Sequence, residues 1–186
     1  MLRILSRRFY SSKTVFQYFP KSFPNGNPSW LVDLKCLRKE YRELQAHEHP
    51  DANANAHTSR SSDINHAYQT VRQPLLRAQY LLLIKGGIDL NDEKMAQTIA
   101  QHDPGLLMKV LDVHEQLEGL SSEQEVKAIS RENRERMAVI EQELTKAFEQ
   151  NDMETAAQLT VELRYWTSLD RAVKEWEPGK AVNLNH

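Results

Sequence analysis

Cysteine is nearly absent from this chain. Cys36 is the single one among 186 residues, which excludes an internal disulfide and any multi-cysteine zinc or cluster site, and no cofactor is expected. It lies between Leu34 and Leu37 in a helical pattern and reads as an ordinary half-buried thiol. Long apolar runs are missing too. The longest, Leu81-Leu82-Leu83-Ile84, is flanked by Arg77 and Lys85 and is too short to span a bilayer. No strand signal and no internal repeat is visible, so the regular structure is expected to be all helix. A dominant charge is lacking as well. The formal net charge of -2 argues against a dedicated nucleic-acid binder, whose affinity comes mainly from phosphate neutralisation.

The balance is uneven along the chain. The first 32 residues carry Arg3, Arg7, Arg8, Lys13 and Lys21 and no acid. Residues 1–10 alternate arginine with apolar side chains, the composition of a mitochondrial presequence, and Arg8-Phe9-Tyr10 before Ser11 resembles a processing site. Thr14 suits the cap of a short helix ended by Pro20, and the Pro20–Ser29 stretch reads as irregular loop. Asp33 is a good N-cap for a helix whose apolar stripe is Leu34, Leu37, Tyr41 and Leu44 and whose other face carries Lys35, Arg38, Lys39 and Arg42. Residues 52–62 are polar, hence loop or frayed helix. A second helix aligns Ile64, Ala67, Tyr68 and Val71. Gln73-Pro74 breaks it, and a third runs from Leu75 until Gly86-Gly87.

Residues 86–102 show no clear pattern and are taken as a linker. From Asp103-Pro104 onward, three helices are expected: Gly105 to Leu117, a long charged one from Glu123 to about Gln150, and a last one restarted by Asn151-Asp152, with Leu159, Leu163, Trp166 and Val173 on its stripe. Short turns and facing stripes make this an antiparallel three-helix bundle over residues 103–186. In its first helix Leu106, Val110, Val113 and Leu117 form one narrow stripe. Leu107, Leu111 and Met108 lie off it. That surplus is either a wider core face or an exposed binding patch, and Tyr165, off the stripe of the last helix, poses the same question. Trp30, Trp166 and Trp176 read as packing residues.

Between the first two main helices stands His47-Glu48-His49-Pro50-Asp51. Pro50 stops a helix and pushes its predecessor out of the α region, so His49 and Asp51 belong on a turn. One reading is metal chemistry, a hydrolase built on His47, His49 and Asp51, since imidazoles and a carboxylate are sensible zinc ligands. Against it, no strand precedes the motif, and Ala52 stands where the metallo-β-lactamase pattern has histidine. Another reading is a helical adaptor.

A third reading comes from resemblance. Tyr41-Arg42, Leu44, His49-Pro50-Asp51, Ile64-Asn65, Ala67-Tyr68, Leu75 and Arg77-Ala78-Gln79-Tyr80 resemble a J-domain, the module that activates DnaK-type heat-shock chaperones. The segments from Pro74, Asp103 and Leu163 (Leu163-Arg-Tyr-Trp) look like the HscB/Jac class, the iron–sulfur J-proteins, and extend the likeness over the whole chain apart from the presequence. The glycine-rich and zinc-binding regions of general J-proteins are missing. So are the N-terminal cysteine pairs of the animal relatives, which fits a fungal-type mitochondrial member.

This resemblance implies an L-shaped, all-α protein: a presequence over 1–10, a J-domain over 11–85, and the bundle. It implies a co-chaperone, not an enzyme, that acts in the mitochondrial matrix with no nucleic acid or membrane as partner. His49, Pro50 and Asp51, with the basic face Lys35, Arg38, Lys39 and Arg42, would meet the chaperone and stimulate its ATPase. Leu106, Leu107, Met108, Lys109, Leu111, Asp112, Glu115 and Tyr165 would bind the iron–sulfur scaffold protein, for cluster transfer.

Overall fold

In the computed structural model, which describes residues 13–47, 54–101, 103–118 and 122–176, every regular element is helical. The chain divides into two compact units, Met1–Gly87 and Ile88–His186.

The first unit is organised by α2 (Ala54–Arg72), against which α1 (Leu34–His47), α3 (Pro74–Leu81) and the 3-10 turn Val15–Tyr18 all pack. Its stripe Ile64, Ala67, Tyr68 and Val71 is buried as the periodicity predicts. The helix begins earlier than expected, at Ala54. Residues 54–62 contain neither proline nor glycine to stop it, and polar side chains do not by themselves break a helix. Phe16, Phe19 and Leu37 are fully buried, and Phe16 meets Phe23 edge-on at 4.9 Å between centroids. Leu34, expected on the α1 stripe, is 49% exposed. It sits in the first turn, held by the Asp33 cap, whose Oδ1 accepts from the Lys35 and Cys36 amides at 2.8 and 3.1 Å. Those two amides, Cys36 first, keep the Asp33 carboxyl below the usual carboxylate range. Gln73 takes an extended conformation before Pro74. After α3 the chain widens into a π turn, Leu82–Gly86, closed by Gly87 at φ 65°, a conformation glycine adopts without penalty.

Glu40 was legible only as part of a charged run, yet it is buried. Its carboxylate accepts from the Lys21 amide (2.8 Å), the Ser22 amide (2.8 Å) and the Ser22 hydroxyl (2.7 Å), and so fastens the N-terminal loop onto α1. Arg77 is likewise buried. It donates to the Val71 carbonyl at 2.7 Å, and its guanidinium lies 4.4 Å from the Trp30 ring centroid.

The second unit contains the three helices expected from sequence, α5 (Pro104–Glu118), α6 (Glu123–Glu149) and α7 (Met153–Lys174). It also contains α4 (Glu93–Ala100), where a linker was expected. The Asp92 carboxylate caps α4 through the Lys94 and Met95 amides, and the helix packs on α7. Asn151 at φ 55° folds α7 back along α6. The seam between them holds Ile140, Leu144, Phe148, Ala156, Leu163 and Trp166, all buried. Asn133 interrupts this apolar seam without being exposed. Its Nδ2 donates to the Trp166 carbonyl at 2.9 Å, while Oδ1 is buried without a partner.

Replacing Glu40 by Ala strands three donors. It is expected to destabilise the protein by about 3 kcal/mol in urea unfolding, because each unsatisfied buried group costs about 1–3 kcal/mol. Glu43→Gln, which removes an exposed pair with Lys21, is expected to cost under about 1 kcal/mol.

Candidate functional site

Two surfaces carry the residues singled out in the sequence, one on each unit. On the first, Lys35, Arg38, Lys39 and Arg42 follow one another at helical spacing along α1 and all four are exposed. None has an ion-pair partner among the described residues. The nearby Glu43 carboxylate is engaged at 2.6 Å by Lys21. That hydrogen bond and charge hold its pKa below the usual range, and hold the Lys21 ammonium above its own. With this acid occupied by Lys21, the positive face of α1 is left to attract an acidic surface.

His49, Pro50 and Asp51 lie outside the described residues. His47, the third member of the hydrolase reading, is exposed at the end of α1. Among the described residues no three histidine, cysteine, aspartate or glutamate side chains are grouped to hold a metal ion. No helix of the described residues is long and apolar enough to cross a membrane.

On the second unit, the ambiguity over α5 resolves into two distinct sides. Leu106, Val110, Val113 and Leu117 are buried. Leu107 and Met108 are both 61% exposed and Leu111 is 48% exposed. A single helix face therefore does the core packing, and the surplus leucines and methionine form an apolar patch in water. Lys109, Asp112 and Glu115 are exposed beside it, the polar rim of such a patch. Leu106 requires a correction: grouped by sequence with the docking residues, it points into the core at 4% exposure and is unavailable to a partner. Tyr165 is half-buried on α7. Trp30 and Trp166 are buried as expected, and Trp176 is half-buried.

The chain is similar to known proteins in sequence and in fold. A family model described as the HSCB C-terminal oligomerisation domain matches residues 102–174. The chain is 43% identical over 186 residues to the mitochondrial J-type co-chaperone JAC1 of Saccharomyces cerevisiae, covering 100% of both chains. It is 30% identical over 160 residues to the iron-sulfur cluster co-chaperone protein HscB of Mus musculus, covering 82% of this chain and 66% of that one. Among solved structures, the Jac1 co-chaperone of Saccharomyces cerevisiae matches with a TM-score of 0.82 at 40% identity, covering 91% of this chain and 100% of that chain. Human HscB matches at 0.69 and 27% identity, covering 84% and 80%. An all-helical chain of two units, matched over both by J-type co-chaperones, defines the class. The chain belongs to the Jac1/HscB family of J-type co-chaperones.

The exposure difference across α5 has a direct consequence for stability. Leu107→Ser with Leu111→Ser is expected to leave the unfolding free energy within about 1 kcal/mol of wild type, the usual range for two surface substitutions. Leu106→Ala is expected to cost about 2–5 kcal/mol, as a buried truncation does. Thermal unfolding of the two variants decides between them.

Proposed function

We propose that this protein couples two partners, a DnaK-type heat-shock chaperone and an iron–sulfur scaffold protein. The observation that carries the proposal is the apolar patch of Leu107, Met108 and Leu111. It is left in water, rimmed by charge, within the unit that matches the HscB family model. An exposed apolar patch of this kind marks a docking site for a partner. Relatives named as a J-type co-chaperone and as an iron–sulfur cluster co-chaperone support an iron–sulfur scaffold protein as that partner.

On this reading the scaffold protein docks on α5 through Leu107, Met108 and Leu111 as anchors, with Tyr165 contributing from α7 and Lys109, Asp112 and Glu115 as the surrounding polar ring. The chaperone meets the first unit. Lys35, Arg38, Lys39 and Arg42 steer its acidic surface onto α1, and Asp51 pairs with one of its cations while His49 and Pro50 shape the turn. Such a contact speeds ATP hydrolysis only if it is stronger in the hydrolysis-competent state of the chaperone than in the resting state. The chain itself makes and breaks no bond: the chaperone hydrolyses ATP, and the cluster is cargo of the scaffold. The acid-free N-terminal segment, and relatives named as mitochondrial, support action in the mitochondrial matrix.

ATPase turnover of the chaperone, measured with wild type and Asp51→Asn, tests the first contact. Wild type is expected to stimulate, and Asp51→Asn to lose at least about tenfold of the effect. Absence of wild-type stimulation overturns the reading. Leu107→Ser with Leu111→Ser is expected to weaken scaffold binding by about a hundredfold or more, since two anchors at about 2 kcal/mol each are removed. Stimulation by the first unit should persist. Undiminished scaffold binding by this variant removes α5 from the site.

A further inference from the structure

Beside its four exposed cations α1 carries two acids, Glu40 and Glu43. Glu40 is buried and occupied by the Lys21 amide and by the amide and hydroxyl of Ser22. Glu43 is the acid left to meet the cations. It stands four residues after Lys39 and four before His47, the spacing at which side chains meet on a helix surface. Its carboxylate instead accepts from the Lys21 ammonium at 2.6 Å. The Lys21 hydrogen bond is the largest influence that holds the Glu43 pKa below the usual range; the charges of Lys39 and His47 act on the same carboxylate more weakly.

The buried acid prepares the pairing of the exposed one. By accepting from the Lys21 amide at 2.8 Å, Glu40 fixes the backbone of the residue whose ammonium reaches Glu43. Only the side chain of Lys21 is then left to order, which lowers the entropy cost of the pair. The pair is open to water, with 67% and 39% of the two side chains exposed, so it contributes little to stability. What it changes is the charge that α1 presents. With Glu43 engaged by Lys21, Lys39 and Arg42 have no ion-pair partner among the described residues.

We infer that Lys21, which is not part of α1, is a positioning residue for chaperone docking: it holds the Glu43 carboxylate away from Lys39 and so leaves the basic face of α1 whole. Without Lys21 the carboxylate turns to Lys39 or His47 and cancels part of the charge that an acidic partner meets. The inference rests on the chaperone reading of α1. It places the effect in the rate of encounter, which exposed charge governs, and not in the fold or in the activity of the docked complex.

The test separates the pairing from net charge. The association rate of the full chain with the chaperone is measured at low and at high salt, alongside thermal unfolding, for Lys21→Gln, Glu43→Gln, the double variant and Lys13→Gln. Lys13 is an exposed cation of the same N-terminal segment, 4.5 Å from the Tyr18 ring centroid. Its loss lowers the net charge equally and leaves Glu43 engaged. Lys21→Gln is expected to slow association about fivefold at low salt, against under about twofold for Lys13→Gln. The difference closes at high salt, and the melting temperature stays that of the wild type. In the Glu43→Gln background, Lys21→Gln loses no more than Lys13→Gln does, the coupling expected of paired residues. A Lys21→Gln loss that is the same with and without Glu43 overturns the inference, as does one that persists at high salt or equals that of Lys13→Gln. If the wild type does not bind the chaperone, the chaperone reading falls, and poly-L-glutamate serves as the acidic probe for the same variants. A loss there that depends on Glu43 upholds the hold of Lys21 on the basic face; a loss independent of Glu43 overturns it.

Discussion

The first unit depends on the apolar side of α2. Ile64, Ala67, Tyr68 and Val71 must serve α1, α3 and the N-terminal 3-10 turn together, and a helix cannot offer that much contact unless its partners approach from different sides. This demand explains why other residues in the unit are buried against ordinary expectation. The N-terminal segment is brought in by the Glu40 carboxylate, which supplies acceptors for the Lys21 and Ser22 amides where the loop provides none. The turn into α3 is closed by Arg77, which donates to the Val71 carbonyl, one of those left open where α2 ends at Arg72. Both charges are buried because each saves backbone groups from burial without partners. A basic face on α1 is compatible with this core because it lies away from Leu37 and Glu40.

The second unit solves a different problem. α6 and α7 are long enough to bury a continuous seam, and apolar seams tolerate sliding. Asn133 removes that freedom. Any shift of α7 along α6 breaks the bond to the Trp166 carbonyl and leaves a second polar atom of the same amide unsatisfied, beside an Oδ1 that already lacks a partner. Trp166 is further held by Glu162, which accepts from the indole N–H at 3.1 Å, and by the Arg136 guanidinium 5.2 Å from its ring. One register for α7 means one placement for Tyr165, the residue before Trp166 in the chain.

Much of this architecture is readable residue by residue because helix ends announce themselves. Asp33 and Asp103-Pro104 each mark a start that the structure confirms. Gly87 and Asn151 mark stops through their positive φ. α4 escapes because it is only eight residues long: Met95, Ala96, Ile99 and Ala100 share one side, too short a stripe to set it apart from a linker. Glu40 and Asn133 escape for another reason. A carboxylate among Arg38 and Lys39, or an amide in a charged helix, reads as solvated until the loop or helix that covers it is known. The exposed patch on α5 is half legible: spacing separates Leu107 and Leu111 from the core stripe, and only the fold shows them 61% and 48% exposed. Whether Lys21 meets Glu43 depends on how the N-terminal loop lies on α1, which no single-helix pattern encodes.

The two surfaces work through different physics, and this bears on how one chain serves two partners. Four cations on α1, without an ion-pair partner among the described residues, act over about 8–10 Å, the distance at which salt screens them at physiological ionic strength, so they would raise the rate of encounter more than the lifetime of a complex. The leucines of α5 act only on contact, by leaving water, and contribute mainly to how long a partner stays. On the proposed reading, such a chain would hold the scaffold protein for long and sample the chaperone quickly. Exchanging the two chemistries would reverse that order: a greasy chaperone face would retain the chaperone after hydrolysis, and a basic client face would release the client before it arrived. The placement of charge on one unit and aliphatic surface on the other therefore fits the proposed pairing of the chaperone with the first unit and of the scaffold protein with the second.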